Sequence, residues 1–128
     1  MELTETERLM LVGKKEEIQN LTAEIMEMMS EAGQVTNVKS KITDILSILS
    51  TIGSYAKSRD YDLSLFTLMA ESIFQLMPTA QPDAKIREYL MKRIERFCIY
   101  ANSIQFDFTR KDFKIIIPKI DLTIFRTK

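Results

Sequence analysis

Near Asn102 the hydrophobic period of the chain changes once and abruptly, with apolar residues recurring every three or four positions before it and every second position after it. A period near 3.6 fits an amphipathic helix and a period of two fits a half-buried strand. The break therefore divides the chain into a helical body and a β-forming tail. The fold class expected is α+β, an antiparallel four-helix bundle over residues 1–103 followed by a C-terminal β-hairpin and an extended β arm over residues 104–128. With 128 residues, one domain is the default, burying roughly two thirds of its extended surface.

Charge narrows the function classes. Eighteen basic and eighteen acidic residues cancel, which removes the simplest argument for a nucleic-acid or anionic-membrane partner. Their placement is uneven: residues 1–33 carry eight acids against three bases, a net −5, and residues 83–128 carry six acids against eleven bases, a net +5. Such segregation fits two faces that attract within the fold, or head-to-tail contact between subunits. Histidine is absent, so zinc-finger, metalloprotease, serine-triad and cysteine–histidine chemistry in their usual forms are excluded. Cys98 is the only cysteine, which forbids an internal disulfide and points to a reducing compartment. The acidic start, Met1-Glu2-Leu3-Thr4-Glu5, is unlike a signal peptide, and no uncharged apolar run approaches a membrane span. A soluble, cytoplasmic or otherwise intracellular protein is expected.

Four helices follow from the first period. The first runs from about Thr4, with Glu5 and Glu7 in its opening turn, to Gly33, along the apolar line Leu11, Ile18, Leu21, Ile25 and Met28. Gly13 and the charges after it are expected to bend or fray it. Of its clustered methionines, Met28 is assigned to the core, with Met26 and Met29 left open. The second helix has the cleanest seam, Val35, Val38, Ile42, Ile45, Leu49, Ile52 and Ala56, and pairs with the first through a short Gly33-Gln34 connection. The third is capped by Asp60 or Asp62, ends at Pro78 and carries one charge, Glu71. Burial on nearly all sides is predicted for it. The fourth begins at Pro82 and buries Ile86, Leu90, Ile94, Phe97 and Ala101, while its other face carries Lys85, Tyr89, Lys92, Arg93, Arg96 and Tyr100. Lys85, Lys92, Arg93 and Arg96, interleaved with aromatics, are the candidates for nucleic-acid contact; a solvated helix face accounts for the same residues.

In the tail, Ile104, Phe106 and Phe108 alternate with Gln105, Asp107 and Thr109, and a turn at residues 109–112 returns the chain as Phe113 to Ile117. Pro118 donates no ladder hydrogen bond, and no Gly or Asn follows for a tight reversal. An extended arm, residues 119–125, is therefore predicted, with Ile120, Leu122 and Ile124 on one side. An unpaired apolar strand is a template for its own hairpin, its own helices or another chain.

Glu24 and Glu27 lie one helical turn apart and Asp44 follows on the next helix, an oxygen-rich set suited to magnesium. The stretch Ala23-Glu24-Ile25-Met26-Glu27 with Lys41-Ile42-Thr43-Asp44 resembles the all-α nucleoside triphosphate pyrophosphohydrolases of the MazG type, whose pattern is Glu-Glu-x-x-Glu and then Glu-x-x-Asp. That resemblance implies a magnesium-dependent enzyme, but two of the five carboxylates are missing and Lys41 stands where a ligand belongs. Residues 49–78 resemble one tetratricopeptide-like helical pair through Gly53, Tyr61 and Pro78, a single copy where stable arrays need about three. Cys98, lying beside the apolar line of the fourth helix, is read as packing.

These residues favour a non-enzymatic, self-associating or assembly subunit without a cofactor, whose partner is itself or another protein. Large supramolecular particles, viral ones included, use such parts. The interface candidates are Phe66 and Phe74 of the third helix with Phe113, Ile115, Ile117, Ile120, Leu122 and Ile124 of the tail.

Overall fold

The computed structural model describes residues 3–30, 37–56, 63–80, 83–109 and 113–126. Their order is α1 (Glu5–Ser30), α2 (Val38–Tyr55), α3 (Ser64–Ala80), α4 (Ala84–Asn102), β1 (Gln105–Asp107), β2 (Lys114–Ile116) and α5 (Thr123–Arg126). Four long helices and a C-terminal antiparallel hairpin give the α+β class expected from the change of period. Val35, the Gly33-Gln34 connection, Asp60, Asp62, Tyr61, Pro82 and the hairpin turn at 110–112 lie outside the described residues.

Helix α1 starts on a reciprocal cap. The Thr4 amide donates to Glu7 Oε1 at 2.9 Å and the Glu7 amide donates to Thr4 Oγ1 at 3.1 Å, satisfying donors that the first turn leaves over. The helix then runs unbroken through Gly13 to Ser30, so it does not fray there. Its buried line is Leu11, Ile18, Thr22, Ile25 and Met29, while Met28 is half-buried and Met26 exposed. The seam of α2 is buried as its spacing predicts, with Val38, Ile42, Ile45, Leu49 and Ile52 nearly inaccessible.

Helix α1 packs against α2 and α4, and α3 packs against the same two. Phe66 and Phe97 meet edge-to-face at 6.0 Å across α3 and α4. Within its own chain α3 is not covered on all sides, so it is not the central helix of the bundle that the sequence allowed as one alternative, cover by a partner being the other. Phe66, Met69, Ala70 and Ile73 face inward, whereas Leu68, Glu71 and Gln75 remain exposed along the other side. Helix α4 begins at Asp83, whose carboxylate accepts from the amides of Lys85 and Ile86.

The hairpin pairs Gln105 with Ile116, Phe106 with Ile115 and Asp107 with Lys114. Phe106, Phe108 and Phe113 form an aromatic cluster with ring centroids 5.1 to 5.9 Å apart. Two cations of α1 cover it, Arg8 over Phe108 and Lys15 over Phe106. Buried hairpin residues thereby join the same core cluster as the helices.

Beyond Ile116 the chain departs from the expected arm. Residues 117–122 form no ladder, and Thr123–Arg126 make one turn of helix. The physical reason is local. Asp121 accepts hydrogen bonds from the amide and hydroxyl of Thr123, and this closure of the backbone outweighs the strand preference of Ile120, Leu122 and Ile124.

Candidate functional site

The last described segment lies on α3 and α4, held there by two side chains of α4 that the sequence reading had placed in solvent. Arg93 is 6% exposed. Its Nε donates to the Ile124 carbonyl at 2.9 Å, and its Nη1 donates to the carbonyl and hydroxyl oxygens of Ser72 at 3.2 and 2.7 Å. Ser72 Oγ in turn donates to the Phe125 carbonyl at 2.7 Å. Loss of water pushes the guanidinium pKa below its ordinary value. Two turns of α4 further on, the Tyr100 hydroxyl accepts from the Asp121 amide at 3.0 Å and donates to the Asp121 carbonyl at 3.4 Å. Phe125, 5% exposed, is the apolar plug of the same segment.

Where this clamp meets the surface, a groove of about 720 Å³ opens between α3, α4 and α5. Its apolar lining is Leu68 and Leu76 from α3, Ile86 and Tyr89 from α4, and Phe125 from the tail. Leu68 and Tyr89 are exposed. Glu71, Gln75, Asp83, Lys85 and Arg126 line it alongside Ser72 and Arg93. Asp83 is occupied as the α4 cap, which leaves Lys85 and Arg126 against Glu71 as the charges available to a ligand. A concave, mostly apolar site with a few polar groups at its edge is the general form of a docking site.

The interface candidates divide between buried and half-buried positions. Phe66, Phe113 and Ile115 are buried within their own chain, at 0%, 3% and 3% exposure. Phe74 is half-buried with Lys39 Nζ 5.1 Å from its ring centroid. Ile117, Ile120, Leu122 and Ile124 are half-buried against the core. Of the three templates open to the tail, its own hairpin, its own helices or another chain, the described segment is packed on its own helices.

Of the basic set of α4, Lys85, Lys92 and Arg96 fall at i, i+7 and i+11 on one exposed line, which Arg93 does not join. Lys85 reaches the groove, Lys92 lies 3.6 Å from Glu88, Arg96 acts on Asp121, and Arg93 is buried in the clamp. Arg93 therefore leaves the nucleic-acid candidates, because its donors serve backbone oxygens.

In the carboxylate set, Lys41 Nζ sits 2.6 Å from Glu24 Oε2, Glu27 is exposed, and Asp44 lines a shallow hollow with Glu17, Asn20 and Leu21. Among the described residues no three acidic, cysteine or histidine side chains are grouped to hold a metal ion. The magnesium reading of Glu24, Glu27 and Asp44 is corrected accordingly, since Lys41 supplies the positive charge that a cation would bring. Cys98 is buried, and burial together with the nearby Glu95 pushes its thiol up to about 12, so it is a packing residue.

Sequence reasoning missed the clamp and the groove. Burial on nearly all sides of the third helix leaves no place for an exposed Leu68, and Tyr89 is read with a solvated face; only the unusual apolarity of α3 hints at an opening there. No helix among the described residues is long and apolar enough to cross a membrane. The chain matches no known protein family, no curated protein and no solved structure.

Proposed function

We propose that this protein is a non-enzymatic, self-associating or assembly subunit whose contact surface is the groove between α3, α4 and the C-terminal segment. The observation that carries this reading is the exposure of Leu68 and Tyr89 in a concave apolar site that also contains the tail residues Phe125 and Arg126. Exposed apolar surface gathered in a concavity marks a contact site far better than the same residues scattered. The third helix and the tail, the two parts whose apolar content favoured association from sequence, meet in this one place. Its occupant is a second copy or another protein.

The test is the mass of the full-length protein by light scattering across the micromolar range, for the wild type and for Leu68→Glu. The expected result is a mass that rises with concentration and a substitution that lowers it. Wild-type protein that stays monomeric throughout, and captures no protein partner that Leu68→Glu fails to capture, would reject the proposal.

A further inference from the structure

The groove has a counterpart on the same molecule. Glu5, Leu9, Val12 and Glu16 are spaced at i, i+4, i+7 and i+11, which puts them in one line on α1. All four are exposed. Leu9 at 64% and Val12 at 43% are two large apolar residues left in water one turn of helix apart, bracketed by acids. Neither belongs to the core line of α1, which runs through Leu11 and Ile18.

We infer that this acidic, apolar stripe of one copy seats in the α3–α4–tail groove of a second copy, with Leu9 and Val12 entering between Leu68 and Tyr89. This rests on the self-association proposed above and names its two surfaces. Two arguments converge on a second copy as the occupant. The first is charge: the stripe offers Glu5 and Glu16, while the groove sets Lys85 and Arg126 against Glu71, its other acid, Asp83, being held as the α4 cap. The segments that carry the stripe and these two bases differ in the same sense, with residues 1–33 at net −5 and residues 83–128 at net +5. Complementary fields of this kind set orientation and encounter rate. The second is fit of type: the groove is mostly apolar at its walls, and a pair of aliphatic side chains at helical spacing is the anchor that such a groove takes.

A one-way contact of stripe to groove proceeds head to tail to rings or filaments, whereas a reciprocal one, each copy's stripe in the other's groove, closes as a two-fold dimer.

Two variants separate the surfaces. Leu9→Glu with Val12→Glu disables the stripe and keeps the groove; Leu68→Glu with Lys85→Glu disables the groove and keeps the stripe. All four positions are exposed helix sites, and an unchanged circular dichroism melt confirms that each variant folds. Each alone should be monomeric under conditions where the wild type associates, and their equimolar mixture should form a 1:1 dimer, the one combination with an intact pair. Glu5→Gln with Glu16→Gln, which keeps the apolar pair, should weaken association about fivefold at low salt, the effect of two exposed charge contacts, and should lose that difference at high salt.

Wild-type association that survives both variant pairs would overturn the inference and leave self-association standing through another surface. Variants that are monomeric alone and remain so when mixed would also overturn it, since they exclude a stripe-to-groove contact. A wild type that is monomeric at every concentration would remove the inference and the self-association it rests on together.

Discussion

Arg93 is the residue on which the tail depends. Its guanidinium presents a planar fork of donors, and three of the oxygens it meets belong to Ser72 and Ile124. Arg93→Met keeps most of the volume and removes every donor, leaving two buried carbonyls and the Ser72 hydroxyl short of a partner. We expect a loss of about 2–3 kcal/mol in urea denaturation, the range for hydrogen bonds to a charged group, with Arg93→Lys recovering only part. Amide exchange should accelerate first over residues 121–126. Cys98 gives a second test at this scale. With its thiol pushed up to about 12, it should resist a disulfide reagent at pH 8 in the native protein and react promptly in denaturant; fast native labelling would contradict its burial.

At the scale of elements, α1 and α5 show opposite outcomes for local preference. In α1, Gly13 sits in a continuous helix, and an added Cβ would meet nothing within 4 Å. Gly13→Ala should therefore stabilise the protein by about 0.5–1 kcal/mol in thermal or urea denaturation, through the lower entropy of the unfolded chain. In α5, the hydroxyl and then the amide of Thr123 hold the Asp121 carboxyl below its usual value. A depressed pKa favours the folded turn above the unfolded value of 3.8, and this contribution disappears as pH falls through the folded pKa. Titration followed on the Thr123 amide resonance should show the turn loosening only below pH 3.8, and Asp121→Asn should remove that step.

The elements legible in the sequence were those built from repetition. The seam of α2 from Val38 to Ile52 and the line of α4 from Leu90 to Ala101 are buried, with Ile86 half-buried, and Phe106 pairs with Ile115 in the hairpin. What escaped depends on single, distant encounters. Nothing near Arg93 announces that its partners are backbone oxygens 21 and 31 positions away, and a pattern of side chains carries no record of main-chain acceptors. The turn of α5 escaped because Ile120, Leu122 and Ile124 alternate as a strand does, while one Asx-type closure at Asp121 redirects the chain. The groove was invisible for the same reason, since it needs α3, α4 and α5 in place before its walls exist.

Across the whole molecule, the hairpin serves as a lid on the first half of α1. Phe113, 3% exposed, stacks on Phe108 and meets Phe106 edge-on beneath the two α1 cations. Phe113→Ala should cost about 3–5 kcal/mol of global stability, as large core aromatics do, and calorimetry should show one lowered transition. A variant that loses hairpin order while the helices melt as before would place the hairpin outside the cooperative unit.

Thr22 and Asn102 meet 80 positions apart in the chain, 3.0 Å from oxygen to oxygen, and Arg8 reaches Phe108 across a still longer separation. The opening helix is consequently sealed only when the region beyond α4 has arrived, whereas α1 with α2 and α3 with α4 are neighbours along the backbone. The two local helical pairs are expected to assemble first, with closure of this long circuit as the slow step. Stopped-flow refolding should accordingly be slower than for a helical bundle whose contacts are all local, and Phe113→Ala should change its slow phase.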